Sequence, residues 1–193
     1  MTLIICPGIH DVALSDRFLA ALNQQLTTIG STLHIAEGQV FPSDREAPFN
    51  GLAVWSFLQE QANPAEPLVL IGFSAGVVGA IAAANLWQGQ GRMVAAAIAV
   101  DGWGVPQVGD FPLYRVSHDY FTHWSSAVLG AGADSFYADP PVDHLDLWQF
   151  PDRAAGFWVS SSARGRPTTK ATTAIAFIAA IICQYEGASP SDR

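Results

Sequence analysis

The chain has 193 residues, half of them apolar and only 13% charged, with a formal charge of −8. That composition excludes a disordered chain and supports one domain with a sizeable core. The negative balance argues against non-specific nucleic-acid binding and against an anionic membrane surface. The two cysteines, Cys6 and Cys183, lie in apolar stretches far apart in sequence and have no close partner of metal-binding type, so both are expected to be free thiols. The first residues carry no basic region and only a short apolar segment, which reads against a signal peptide. The apolar runs MVAAAIAV and AIAFIAAIIC are too short to span a bilayer. A cytoplasmic protein with no membrane association is the expectation.

In chain order, Thr2–Cys6 reads as a buried strand ended by Pro7-Gly8. Ser15–Ile29 reads as a helix with Phe18, Leu19, Leu22 and Leu26 on one face and Ser15 as its N-cap. Thr32–Ala36 is expected as a short strand containing His34. A proline-bearing loop follows, and then a helix over Leu52–Gln61, closed by Asn63-Pro64. Leu68–Phe73 is the third strand and Ala75–Trp87 the helix after it. Met93–Val100 and Leu113–Ser117 are further strands, with a sixth over Ser135–Ala138. A closing helix is expected over Thr168–Gln184.

The sharpest local signal is Gly72-Phe73-Ser74-Ala75-Gly76, set between an apolar strand and a helix rich in small residues. A G-x-S-x-G turn between strand and helix is the arrangement of a nucleophile elbow. It forces the serine into a strained backbone conformation and holds its Oγ above the sheet edge, at the positive end of a helix. Gly72 and Gly76 leave room where a Cβ would clash with the adjacent strand or helix.

Alternating short apolar strands and amphipathic helices predict an α/β fold, a three-layer sandwich with a mostly parallel sheet of about six strands. No repeat, linker or low-complexity segment divides the chain, so one domain is expected over 1–193. The connection from Val100 to Leu113 is short and rich in Gly and Pro, leaving no space for a lid domain. No G-x-G-x-x-G follows a strand and no G-x-x-x-x-G-K-[ST] occurs, so nucleotide binding has no support.

With these pieces in order, the sequence resembles the α/β-hydrolase family from Leu3 to about Gln184. LIICPGIH resembles the strand and oxyanion loop, GFSAG the elbow, RVSHDYFTHW the strand and loop bearing the acid, and PPVDHLDLW the histidine loop. The order Ser…Asp…His is that of this fold. The sequence opens on the strand that resembles the oxyanion-loop strand, without the two strands that usually precede it in the family, so a minimal sheet is the expectation.

The resemblance implies a serine hydrolase acting on a carboxylic ester or thioester, with no cofactor and no metal. Ser74 is the implied nucleophile and His144 its base. Asp119 is the first choice of acid, with Asp101 the alternative because some members place the acid one strand earlier. The backbone N–H groups of Ile9 and Ala75 form the implied oxyanion hole. Asp143 and Asp146 read as solvent-facing or loop-capping residues, and His34 as structural. His118 and His123 flank Asp119, but no further ligand clusters with them, which reads against a metal. The loops near these positions are aromatic. His10, Phe73, Trp103 and Phe121 are candidates to line a pocket for a small acyl substrate; for any one of the aromatics an ordinary core position is the better reading, and for His10 a solvated loop position is the alternative. A non-catalytic binding protein on the same frame, and an amidase or peptidase, are the alternatives. Oligomeric state is not legible.

Overall fold

The structure is a computed structural model that describes residues 1–106, 108–130, 132–160 and 167–186. Among the described residues it holds a seven-stranded sheet in sequence order. Strands β1 (Thr2–Cys6), β2 (Leu68–Phe73), β3 (Val94–Val100), β4 (Leu113–Ser117) and β5 (Ser135–Ala138) are parallel. Strands β6 (Ala155–Ser160) and β7 (Thr168–Thr173) extend the sheet antiparallel.

Both faces of the parallel region are covered. Alternate residues of a strand point to opposite faces, so Leu3, Ile5, Val69, Ile71 and Phe73 enter one core while Ile4, Cys6, Leu68 and Leu70 enter the other. Helices α1 (Val12–Thr28), α5 (His144–Gln149) and α6 (Ala174–Tyr185) close the first core. Helices α2 (Gly51–Gln61) and α3 (Ala75–Gly89) close the second. The short helix α4 (Tyr120–Ala127) lies between β4 and β5 in sequence. The result is a three-layer α/β sandwich. Among the described residues, no helix is long and apolar enough to cross a membrane.

Several expectations need correction. Helix α1 starts at Val12, capped by Asp11, whose carboxylate accepts the Ala13 N–H. Ser15 is therefore inside the helix and buried, where its Oγ accepts the Trp148 indole N–H at 3.3 Å. Thr32–Ala36 is not a strand. The Asn23 amide bonds both the N–H and the C=O of Ile35, at 2.9 Å each, and Glu186 takes the Thr32 N–H, so side chains replace a ladder.

The closing helix begins only at Ala174. Thr173 caps it by accepting the Ala176 N–H, and the preceding TTKATT forms β7, paired with AGFWVS of β6. Of the six strands expected, Thr32–Ala36 is lost and β6 and β7 are gained, which gives seven, and the last strand is polar and exposed at the edge.

Candidate active site

Because β1 to β5 run parallel, their C-terminal ends meet at one edge of the sheet, where the loops of such folds carry ligand-facing groups. Pro7-Gly8-Ile9 follows β1, Ser74 follows β2, Asp101 follows β3, and His118 follows β4. His144 opens α5, beyond β5.

The turn at Ser74 is sharp. Ser74 has φ 51° and ψ −120°, a conformation that a side chain adopts at a cost. Its N–H is fixed on the Val100 carbonyl at 2.9 Å, and α3 begins at the next residue. The two glycines are required by close approach. A Cβ on Gly76 would lie 2.1 Å from the Cys6 carbonyl oxygen, and one on Gly72 would lie 2.8 Å from the Val77 Cα. The loop after β1 passes beside the serine, since a Cβ on Gly8 would stand 3.1 Å from the Ser74 Cβ. Ala75 is the first residue of α3, so its N–H has no partner within the helix. Ile9 lies in the adjacent loop, largely exposed.

Asp101 also has positive φ, 50°, and its side chain is only 1% exposed. Its Oδ2 accepts His144 Nδ1 at 2.7 Å and His118 Nδ1 at 2.8 Å, while Oδ1 accepts the His118 backbone N–H at 2.9 Å. Burial pushes this carboxyl up, but the bonds from His118 and His144 outweigh it and hold it below the usual carboxylate range. The same bond from Asp101 raises His118 above the ordinary imidazole value, against an opposing effect of burial.

His144 is set on an aromatic stack. Its ring lies on Phe73 at 4.7 Å, Phe73 lies on Trp148 at 4.8 Å, and Trp148 lies on Phe18 at 3.7 Å between centroids. The stack fixes the plane of the imidazole from below, leaving its Nδ1 for Asp101.

A cavity of about 400 Å³ opens over Ser74, Asp101, His118 and His144, walled by Trp103, Phe121 and Thr122. Trp103 and Phe121 are both more than half exposed, and the Trp103 indole is tethered to Ser125 Oγ at 3.1 Å. Among the described residues no hydrogen bond joins Ser74 Oγ to His144. Such bonds are often long without substrate and tighten in the complex.

Asp119, the first choice of acid, does not meet His144. It caps α4, with Oδ1 accepting the Thr122 N–H, and its Oδ2 stands 3.6 Å from His118 Nε2. Phe73 does not line the cavity, because it is fully buried under His144. His10 is turned away too, packed on Phe73 and Trp148 with Nδ1 bonded to the Asp11 carbonyl. His123 faces Ser135, and burial beside Arg115 lowers it to about 4. Sequence reasoning missed His118 as a partner of Asp101. The available signal was the pairing of β3 with β4, which puts residues just beyond Val100 and Ser117 at one edge.

Asp101, His118 and His144 each offer one ligand atom, all within 4.8 Å of one another. Both imidazole Nδ1 atoms are at hydrogen-bond distance from one carboxylate oxygen, whereas a cation needs its ligands spread around it. The set therefore fits a bonded acid–base cluster better than a metal seat.

The chain matches no model of a known protein family, and no curated protein matches it in sequence.

Proposed function

We propose that this protein is a serine hydrolase of the α/β-hydrolase type that cleaves a carboxylic ester or thioester. The observation that carries the proposal is the shared cavity: a strained serine at a strand-to-helix turn and an Asp101–His144 pair bonded at 2.7 Å face the same space. Asp101, rather than Asp119, is the acid of this proposal.

In the proposed reaction, Ser74 Oγ attacks the substrate carbonyl as His144 Nε2 takes its proton. Asp101 accepts the Nδ1–H and so leaves Nε2 as the free lone pair. The tetrahedral oxyanion is received by the Ala75 and Ile9 N–H groups. Collapse breaks the acyl–oxygen or acyl–sulfur bond, and His144 returns the proton to the leaving alcohol or thiol. Water, deprotonated by the same histidine, then cleaves the acyl-enzyme and regenerates Ser74. Trp103 and Phe121 give the acyl or alcohol group an apolar wall.

A fluorophosphonate tests the proposal. A single adduct on Ser74, lost in Ser74→Ala, is expected; a folded wild-type protein that takes up no label overturns it. One observation favours a second reading: without a Ser74–His144 bond, the same cavity would serve a protein that binds an acyl compound without turning it over. Failure to label, with a retained short-chain ester detected by equilibrium dialysis, would select that reading.

A further inference from the structure

The proposed reaction uses one imidazole partner of Asp101, yet the carboxylate has two. His118 follows β4, and its Nδ1 reaches the same Oδ2 that receives His144. A carboxylate can only accept, so both Nδ1 atoms carry hydrogens directed at one oxygen. The backbone N–H of His118 takes the other oxygen, so this residue holds Asp101 by both ends. The His118 and His144 rings stand edge to face with centroids 6.0 Å apart, which leaves little shielding between two positive charges.

We propose that His118 is a positioning residue that clamps Asp101 and competes with His144 for its single charge, so that the first proton taken up by the pair goes to His118 and His144 stays neutral.

The surroundings decide which imidazole takes that proton. Facing His118 are Asp101 from the end of β3, Asp119 from its own turn at 3.6 Å, Asp143 from the segment before α5, and His144 from α5 itself. Three carboxylates against one imidazole favour the cation there. The upward displacement of His118 agrees with this, with the Asp101 bond as its largest cause and burial opposing it. Once His118 is charged, a second proton on His144 would have to share an already neutralised carboxylate. The charge of Asp101 is thereby divided between two imidazoles instead of being given to His144 alone.

The inference rests on the proposed role of His144, but the sharing of charge can be read without catalysis. The first measurement is the rate of fluorophosphonate labelling of Ser74 between pH 5 and 9 for wild type, His118→Ala and His118→Gln. Removing the competing charge should move the acid limb of labelling upward by about one pH unit in both variants. The glutamine keeps an N–H for Asp101, so its plateau rate should recover relative to alanine while the limb stays displaced. An unmoved limb, or a glutamine variant that restores both limb and rate, overturns the inference in favour of a merely structural clamp.

The second measurement is the NMR titration of the His118 Cε1–H in Ser74→Ala with and without His144→Ala. Its midpoint should rise by about one pH unit when His144 is removed; no change overturns the inference. If wild type does not label at all, the hydrolase proposal fails and this titration alone decides the sharing of charge.

Discussion

Ser74 and Asp101 directly follow neighbouring strands, β2 and β3, with almost the same φ, 51° and 50°. Each is pinned by carrying its ladder one residue further: Ser74 N–H bonds to the Val100 carbonyl, and Asp101 N–H to that of Val116. Among the described residues they are the two non-glycine positions with positive φ. Strain of this kind costs about 1–3 kcal/mol per residue and persists where the surroundings over-determine it.

Relief of that strain is the first prediction. Ser74→Gly should stabilise the fold by about 1 kcal/mol, because the Ser74 side chain gives no cap bond to lose. The same variant should lose fluorophosphonate labelling entirely. Urea unfolding beside the labelling assay checks both. A loss larger than about 1 kcal/mol, the cost of glycine's extra freedom in the unfolded chain, would mean that Ser74 is held without strain.

The two candidate acids separate by substitution. Asp101→Asn should lower the labelling rate by about 10³-fold or more, since an amide cannot hold both Nδ1–H groups as a carboxylate does. Asp119→Asn should keep labelling within a few-fold of wild type. Because asparagine also caps helices well, its stability should change by only a few tenths of a kcal/mol, whereas Asp119→Ala should cost about 1 kcal/mol through loss of the bond to Thr122 N–H. Equal losses of rate in the two asparagine variants would refute the assignment.

Close approach at the elbow gives a third test. Gly76→Ala would place a methyl 2.1 Å from the Cys6 carbonyl, which belongs to a strand that cannot give way cheaply. A loss of about 1–3 kcal/mol is expected, the range for overpacked interiors. Gly89, where an added Cβ meets nothing within 4 Å, is the matched control. Gly89→Ala, near the end of α3, should be neutral or slightly stabilising in the same urea titration.

His123 links stability to pH. Its folded imidazole is lowered to about 4 by burial, with Arg115 adding to the effect, so below the ordinary value of 6.5 the unfolded chain binds a proton that the folded chain refuses. The contribution is fully present above pH 6.5 and is lost as pH falls toward 4. Urea titrations at pH 7.5 and 5 should therefore show a smaller pH-dependent loss in His123→Gln than in wild type. A loss of equal size would show that His123 does not cause it.

The elbow was legible in the sequence because it is local: one apolar strand, five turn residues and one helix specify it together. Strands β2 and, to within one residue, β3 were readable for the same reason, as the continuous apolar runs LVLIGF and VAAAIAV between turn signals. The acid was not readable. Asp101 and Asp119 each follow a strand, and the choice depends on where a side chain is captured. The Thr122 N–H takes Asp119 into a helix cap, while positive φ turns Asp101 toward both imidazoles. The outer hairpin was missed because TTKATT has no apolar face to alternate, and the apolar helix directly after it absorbed the pattern. His118 stayed hidden because its role depends on how two strands end, not on its own neighbours in sequence.

The exposed final strand has a consequence for how the molecule behaves in a crowd. A sheet edge is an open template on which another chain's strand can add, and long apolar edges seed aggregation. Here the edge is threonine-rich and carries Lys170, the single lysine of the chain. A charged side chain in the middle of that strand opposes the docking of a second sheet, so the one lysine stands where self-association by strand addition would begin.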